Sequence, residues 1–128
     1  CDASGTLTFR RPVEGFSIPK FGAACPIWPL FQALSRPMHT VCQLLEQAGT
    51  RQSRFAALAI AQPEPAATLR DPQLFEATML LVPDDPRSNL SRALFSGTHE
   101  MLNVGSGCRV CPQHECPARR EPSILPDS

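Results

Sequence analysis

Three cysteines lie close together near the C-terminal end of the chain, in the spacing C-x2-C-x4-C: Cys108, Cys111 and Cys116. Two cysteines separated by two residues can face one metal ion, because a tight loop turns the chain back on itself, and the third can close over the same ion. A structural zinc takes four nitrogen or sulfur ligands, and a cubane iron–sulfur cluster is usually held by four thiolates. Three cysteines are an incomplete site, and we expect Cys25 to supply the fourth ligand.

The residues around this Cys-rich loop favour metal binding over disulfide bonds. Basic side chains beside the cysteines stabilise thiolates, and four residues here fit that role: Arg109, His114, Arg119 and Arg120. The sequence shows no charged segment followed by an apolar one, as a signal peptide would, so we expect a cytoplasmic protein. Cys42 lies in an apolar run, as a buried free thiol would, and we place it and Cys1 outside the site.

Several alternatives remain open from the residues alone. The cysteines could be free thiols, or they could form a disulfide between Cys108 and either Cys116 or Cys25. His114 could replace Cys25 as the fourth ligand. We also expect Arg109, Arg119 and Arg120 to lower the pKa of the thiols, although a solvated basic rim is the other interpretation.

Length and charge restrict the class of protein. A chain of 128 residues can bury one core, so we expect a single domain over residues 1–128. The net charge of zero gives no electrostatic surface for nucleic acid, and no apolar run is long enough to span a membrane. The chain opens on Cys1 rather than Met, and we expect it to be a fragment of a longer protein.

Hydrophobic patterning predicts an α+β fold. Strands are predicted at residues 6–9, 38–46, 55–62, 74–82 and 101–104, and helices at residues 26–34 and 84–94. The second helix would be capped by Asp84 or Asp85, with Pro86 in its first turn. We expect an antiparallel sheet flanked by a few helices, in the style of GAF or PAS sensor domains, with a C-terminal Cys-rich loop.

The sequence offers no catalytic constellation. It lacks a nucleophile elbow, an H-E-x-x-H zinc motif and a phosphate-cradling G-x-x-x-x-G-K loop, so we expect no enzyme. His39 and His99 stand apart from each other and are interpreted as structural. Phe21, Trp28 and Phe31 could wall a ligand pocket, whereas their default role is in the core.

Two separated segments resemble a known family. Residues 21–28 read FGAACPIW and resemble an F-G-x-x-C-P-x-W motif, while residues 104–119 contain a G-x-x-C-R-x-C-x-x-x-x-C-P-x-R pattern. Both resemble the C-terminal domain of short-chain fatty-acyl transcriptional regulators. In between, residues 55–61 lack the Tyr and Arg of that family's Y-F-x-I-A-R strand.

The resemblance implies a sensor of short-chain acyl-CoA, such as propionyl-CoA, that controls genes of propionate, acetate or glyoxylate metabolism. It implies a [4Fe–4S] cluster, with zinc as the alternative, on four ligands: Cys25, Cys108, Cys111 and Cys116. Full-length members carry an N-terminal Xre-type helix-turn-helix, so DNA would be bound by that absent domain and not by this one. We also expect a homo-oligomer. A structural, zinc-stapled dimerisation domain is the second hypothesis, and an enzyme fragment is the third.

Overall fold

The apolar runs in the middle of the chain form one four-stranded sheet. The computed structural model describes residues 1–19, 23–48, 53–96 and 100–125. The strands are β1 (Val41–Gln47), β2 (Ser53–Pro63), β3 (Phe75–Pro83) and β4 (Met101–Val104), in the spatial order β3-β2-β1-β4. β1, β2 and β3 form an antiparallel meander, whereas β4 pairs with β1 in parallel. The α+β class is confirmed, with the sheet antiparallel except at one edge.

The chain reaches this parallel edge through a short helix, α2 (Asn89–Phe95). Antiparallel neighbours need only a tight turn, whereas a parallel strand requires the chain to cross over the sheet. The predicted cap of this helix was wrong. Ser88 is the N-cap, and its side chain accepts a hydrogen bond from the backbone N–H of Ser91. Asp85 instead closes a turn before the helix, where its Oδ1 accepts the N–H of Arg87 at 2.9 Å.

The predicted first strand at residues 6–9 was also wrong, because the chain pairs with the sheet before that point. The backbone N–H of Ala77 donates to the Cys1 carbonyl at 2.9 Å, and Asp2 forms an antiparallel bridge with Glu76. A turn follows, in which Gly5 adopts a φ of 85° and its N–H donates to the Asp2 carbonyl. Residues 6–9 then leave the β3 edge and run irregularly over the core.

A five-residue helix, α1 (Pro29–Ala33), packs on the core face of the sheet. Pro29 occupies the first turn, where its missing N–H costs nothing. The strand residues opposite the helix are small: Ala57, Ala59 and Ala61 are all at most 1% exposed. Small side chains on β2 leave room for Trp28, which precedes the helix and is 2% exposed. Its ring contacts Phe16 at a centroid distance of 5.1 Å.

The other face of the sheet is also apolar but is only partly covered. Because successive strand residues point to opposite faces, Leu58 turns away from the core that holds Ala57 and Ala59. Leu58 lies between Cys42 on β1 and Leu80 on β3, and Leu80 is 59% exposed. The prediction that Cys42 is buried was therefore wrong, because its side chain is exposed on this face. Among the described residues, no helix has the length and apolar character needed to cross a membrane.

We expect Ala59→Leu to lower the free energy of unfolding by about 1–3 kcal/mol, because the larger side chain overpacks the space beneath α1. Urea unfolding measures this loss. Thr78→Leu is the matched control, since Thr78 is exposed on the neighbouring strand and its replacement should change stability by no more than about 0.5 kcal/mol. An Ala59→Leu protein as stable as the control would show that the core face tolerates extra volume.

Candidate functional site

The structure brings the four sequence-predicted cysteines together at one end of the sheet. Cys25, Cys108, Cys111 and Cys116 all line one small cavity between the segment before α1 and the loop after β4. Cys25 and Cys111 are buried, and Cys108 and Cys116 are partly exposed. All six cysteines of the chain are free, so neither of the disulfides considered from the sequence is present. Cys1 and Cys42 do not line this cavity, as predicted.

Backbone hydrogen bonds fix Cys25 against the strand that leads into the Cys-rich loop. The N–H of Cys25 donates to the Ser106 carbonyl at 2.9 Å, and the N–H of Gly105 points at the Cys25 sulfur at 3.5 Å. The indole Nε1–H of Trp28 donates to the Gly105 carbonyl at 2.7 Å. Two consecutive residues, Gly105 and Ser106, therefore hold the segment from Cys25 to Trp28, although residues 29–104 lie between the two segments.

Two glycines allow this close approach. A Cβ on Gly105 would lie 2.8 Å from the sulfur of Cys111, and a Cβ on Gly107 would lie 2.7 Å from the carbonyl oxygen of Ala23. Real Cβ atoms do not approach other heavy atoms this closely, so a side chain at Gly105 would displace Cys111 and one at Gly107 would push away the segment before Cys25. The two glycines are therefore a packing requirement of the cysteine cavity.

Arg119 organises the Cys-rich loop through its carbonyl groups. The guanidinium of this partly buried residue donates to the carbonyls of Cys108 at 2.8 Å, Cys111 at 3.1 Å and Glu121 at 3.0 Å, and also to that of Gln113. The loop thus wraps around a single cation. We predicted from the sequence that Arg119 lowers the pKa of the thiols, whereas its hydrogen bonds are with backbone carbonyls.

The two other arginines of the loop differ from Arg119. The backbone N–H of Arg120 points at the Cys108 sulfur at 3.5 Å, and its guanidinium donates to the Ala24 carbonyl at 3.1 Å. Arg120 therefore ties the tail of the loop to the residue before Cys25. The side chain of Arg109 is exposed, which favours the interpretation of Arg109 as part of a solvated rim.

Burial, rather than positive charge, dominates the electrostatics at Cys25. Loss of solvent raises the pKa of the Cys25 thiol, while the backbone N–H groups of Gly105 and Ile27 lower it. The nearby Cys111 and Cys108 raise it further through charge repulsion. The expectation that arginines lower the thiol pKa is thus not met at Cys25. His114 is exposed and lies on the same loop, but it does not line the cavity.

The donor set suits a soft metal, whereas the cavity is not shaped around an ion. Thiolates select zinc and iron–sulfur clusters over harder cations. However, the cavity has a volume of only about 10 Å³, about the space of one water molecule. In the part of the chain that the structure describes, no three His, Cys, Asp or Glu side chains are grouped so that they could hold a metal ion. The thiols therefore share a cavity without forming a coordination sphere.

Two larger cavities flank the N-terminal arm, residues 1–19. The first, which we call the arm cavity, has a volume of about 510 Å³ and lies between the arm and β3. Its walls are mainly apolar and include Leu7, Val13, Trp28 and Leu81, with Arg10 and Arg11 also in the lining. The volume is in the range of small-molecule sites.

The second, which we call the Arg120 cavity, also has a volume of about 510 Å³ and lies on the other side of residues 5–10. Phe31 lines this second cavity, whereas Trp28 lines the arm cavity. The two rings are stacked at a centroid distance of 6.2 Å. The aromatic residues predicted to share one pocket therefore serve two. Phe21, the third of them, and Lys20 lie outside the described residues.

We expect Arg119→Ala to loosen the Cys-rich loop, because four carbonyl groups lose a charged donor. The expected loss of stability is about 2 kcal/mol, measured by urea unfolding, with faster amide hydrogen exchange in residues 108–121. Arg109→Ala is the matched control and should change stability by no more than about 0.5 kcal/mol, because Arg109 is exposed. Equal effects of the two substitutions would contradict the role of Arg119 in the loop.

Comparison with known proteins places the whole chain in one group. A family model described as "Short-chain fatty acyl coenzyme A regulator, C-terminal" matches residues 1–127. The chain is 28% identical over 126 residues to the propionyl-CoA carboxylase regulator of Cereibacter sphaeroides, an alignment that covers 96% of this chain and 26% of that protein. It is 23% identical over 131 residues to the HTH-type transcriptional regulator RamB of Mycobacterium tuberculosis, covering 96% of this chain and 27% of that protein.

A solved structure, a Mycobacterium tuberculosis transcriptional regulator, shares the fold with a TM-score of 0.74 at 19% identity, covering 98% of this chain and 38% of that chain. The expected likeness to GAF or PAS domains is not confirmed by this comparison. The chain spans about a quarter of the length of the curated relatives it matches. Because the family model covers nearly every residue, the chain belongs to the family of short-chain fatty acyl coenzyme A regulators and corresponds to their C-terminal domain.

Proposed function

We propose that this domain is the sensing module of a longer, cytoplasmic transcriptional regulator. It binds a short-chain acyl-CoA and carries a metal or iron–sulfur centre on Cys25, Cys108, Cys111 and Cys116. DNA is bound by a separate helix-turn-helix domain, and the regulator is a homo-oligomer. Membership of the family and the names of the relatives, one of which regulates propionyl-CoA carboxylase, support the class of ligand.

One observation carries the proposal: the wall of the arm cavity is continuous with the cysteine site. Trp28 lines the arm cavity and donates its indole hydrogen bond to Gly105. Gly105 in turn directs its N–H at the sulfur of Cys25 and lies against Cys111. A ligand that fills the arm cavity contacts a side chain that is joined to Cys25 through one intervening residue, Gly105.

The chemistry of the arm cavity suits an acyl thioester. Leu7, Val13, Phe16 and Leu81 offer apolar surface for a short acyl chain, and about 25 cal/mol is gained for each Å² of apolar surface removed from water. Arg10 and Arg11 are exposed and lie in the same lining, where a guanidinium can pair with a phosphate. The ligand changes the state of the regulator only if it binds one conformation better than another.

The proposal for the metal centre rests on the shared cavity and the all-sulfur donor set. When bound, zinc would supply a structural cross-link and a [4Fe–4S] cluster would supply redox chemistry. The residues of this chain contribute two N–H groups aimed at sulfur, one from Gly105 to Cys25 and one from Arg120 to Cys108. Hydrogen bonds to ligand sulfurs are a recurring feature of such sites.

Calorimetry with propionyl-CoA, acetyl-CoA and free CoA tests the sensor proposal. We expect both acyl-CoAs to bind and to raise the melting temperature, because a ligand that binds only the folded state stabilises it. Val13→Trp should weaken the binding of propionyl-CoA at least tenfold, because the larger side chain fills the arm cavity. Leu90→Trp, on the exposed face of α2, should bind as the unaltered chain does. No heat with any of the three at millimolar concentration would discard the sensor and leave the zinc-stapled dimerisation domain.

Anaerobic reconstitution tests the cysteine site. Each of Cys25→Ser, Cys108→Ser, Cys111→Ser and Cys116→Ser should lower the bound iron or zinc, measured by elemental analysis and by absorbance in the iron–sulfur charge-transfer region. Cys42→Ser is the matched control and should bind as much metal as the unaltered chain, because Cys42 is exposed on the sheet. Equal metal content in Cys42→Ser and Cys25→Ser proteins would contradict the assignment.

A further inference from the structure

The Arg120 cavity differs in chemistry from the arm cavity on the other side of residues 5–10. Its lining combines two hydroxyl side chains, two guanidinium groups and an aromatic ring: Ser4, Thr6, Arg10, Arg120 and Phe31. The volume of about 510 Å³ is in the range of small-molecule sites. Such a mixture of polar and aromatic groups suits a ligand that is itself part charged and part planar.

The charge of this cavity has one sign. Arg10 and Arg120 are its only charged side chains among the described residues that line it, and both are exposed. The Asp2 carboxylate is not part of this lining but is hydrogen-bonded to the Ser4 hydroxyl, which is. Asp2 Oδ1 accepts hydrogen bonds from the N–H and Oγ of Ser4 and from the N–H of Thr6. The carboxylate is thus engaged by the turn, and the cavity presents cations to its contents.

Each guanidinium is anchored while donors remain free for a ligand. Arg10 donates through Nη1 to the Pro19 carbonyl at 2.9 Å, and Arg120 donates through Nη2 to the Ala24 carbonyl at 3.1 Å. A guanidinium carries five N–H donors in a planar fork that matches phosphate geometry. The anchoring bonds restrict the long side chains and lower the entropy lost when an anion binds.

Phe31 supplies a rigid planar surface beside these cations. Its ring is stacked on the buried Trp28 with an interplanar angle of 11°. Gly5, which also lines the cavity, approaches the ring edge so closely that a Cβ would lie 3.7 Å from its Cε1. The ring is therefore held in place from two sides and is half-buried, as a stacking partner for a planar base would be.

We propose that the Arg120 cavity binds a phosphorylated nucleoside, with the phosphate on Arg10 and Arg120 and the base against Phe31. The adenosine bisphosphate end of an acyl-CoA and a free adenine nucleotide share this chemistry. In the first case the inference deepens the proposed function, because Arg10 and Leu7 line both cavities and one CoA molecule would reach across the arm. In the second case the cavity is a separate nucleotide site.

The position of Arg120 gives such a ligand a route to the cysteines. The same residue points its backbone N–H at the Cys108 sulfur and holds the carbonyl next to Cys25. A phosphate that pairs with the Arg120 guanidinium acts on the residue that joins the two cysteine-bearing segments.

Isothermal titration of the unaltered chain with adenosine 3′,5′-bisphosphate, and separately with AMP, tests this inference. We expect at least one of them to bind, and we expect Arg10→Gln and Arg120→Gln each to weaken binding at least tenfold. Arg36→Gln and Arg109→Gln are the matched controls, because both arginines are exposed and neither lines the cavity. The urea midpoints of all four variants show whether a loss of binding is caused by a loss of stability. Arg10→Gln is the cleaner test, because Arg10 donates its hydrogen bond to Pro19 rather than to the Cys-rich loop.

Competition with propionyl-CoA shows whether the ligand of the cavity is the nucleotide end of CoA or a free nucleotide. Displacement of the bisphosphate by propionyl-CoA assigns the cavity to the nucleotide end of CoA, and simultaneous binding assigns it to a free nucleotide; both support the site. No binding of either nucleotide, or equal weakening by Arg36→Gln and Arg10→Gln, overturns it. Val13→Trp distinguishes failure of the acyl-CoA proposal from failure of the nucleotide proposal. It should weaken the binding of propionyl-CoA and leave the binding of the bisphosphate unchanged.

Discussion

The hydrogen bond from the Trp28 indole to the Gly105 carbonyl joins the two halves of this domain. It is buried, 2.7 Å long, and connects residues 77 apart in the chain. A buried carbonyl left without its donor costs about 1–3 kcal/mol, so the bond also fixes the orientation of the indole ring. The walls of both larger cavities depend on that orientation, because Trp28 lines the arm cavity and Phe31, which lines the Arg120 cavity, stacks on its ring.

Small residues on both sides of this hydrogen bond leave the space that its partners occupy. Alanines on β2 admit the indole, Gly107 admits the segment before Cys25, and Gly105 admits the side chain of Cys111. The Cys-rich loop is shaped separately, by the guanidinium of Arg119 and the carbonyls around it. Arg119 binds backbone oxygens and no sulfur, so its contacts with the loop do not depend directly on the chemical state of the thiols.

Much of the sheet could be predicted from the sequence, because the apolar runs at residues 38–46, 55–62 and 74–82 coincide with β1, β2 and β3 within a few residues. The hydrophobic pattern gave the wrong burial for Cys42, because both faces of the sheet are apolar and the pattern does not distinguish the core face from the exposed one. No strand forms at residues 6–9, because Asp2 makes a single bridge to Glu76 and the turn at Gly5 then directs the chain away from the sheet. The parallel pairing of β4 has no local signal, since it depends on where the chain crosses over the sheet.

The grouping of the four cysteines could be predicted from their spacing and from the resemblance of two distant segments. The role of Arg119 could not, because its partners are carbonyl groups that every loop residue possesses. The division of the aromatic residues between two cavities also had no sequence signal. It arises because residues 5–10 separate a cavity lined by Trp28 from one lined by Phe31, along a path that only the folded arm defines.

The distribution of contacts along the chain determines the order in which this domain can fold. The β1–β2–β3 meander joins neighbours in sequence, so it forms without long loop closure. The segment before α1, in contrast, hydrogen-bonds to Gly105, Ser106 and Arg120, and Cys1 hydrogen-bonds to Ala77, so these contacts close long loops. During synthesis Trp28 cannot make its hydrogen bond to Gly105 until the residues after β4 have left the ribosome. This bond and the cysteine cavity therefore depend on the same late-synthesised segment.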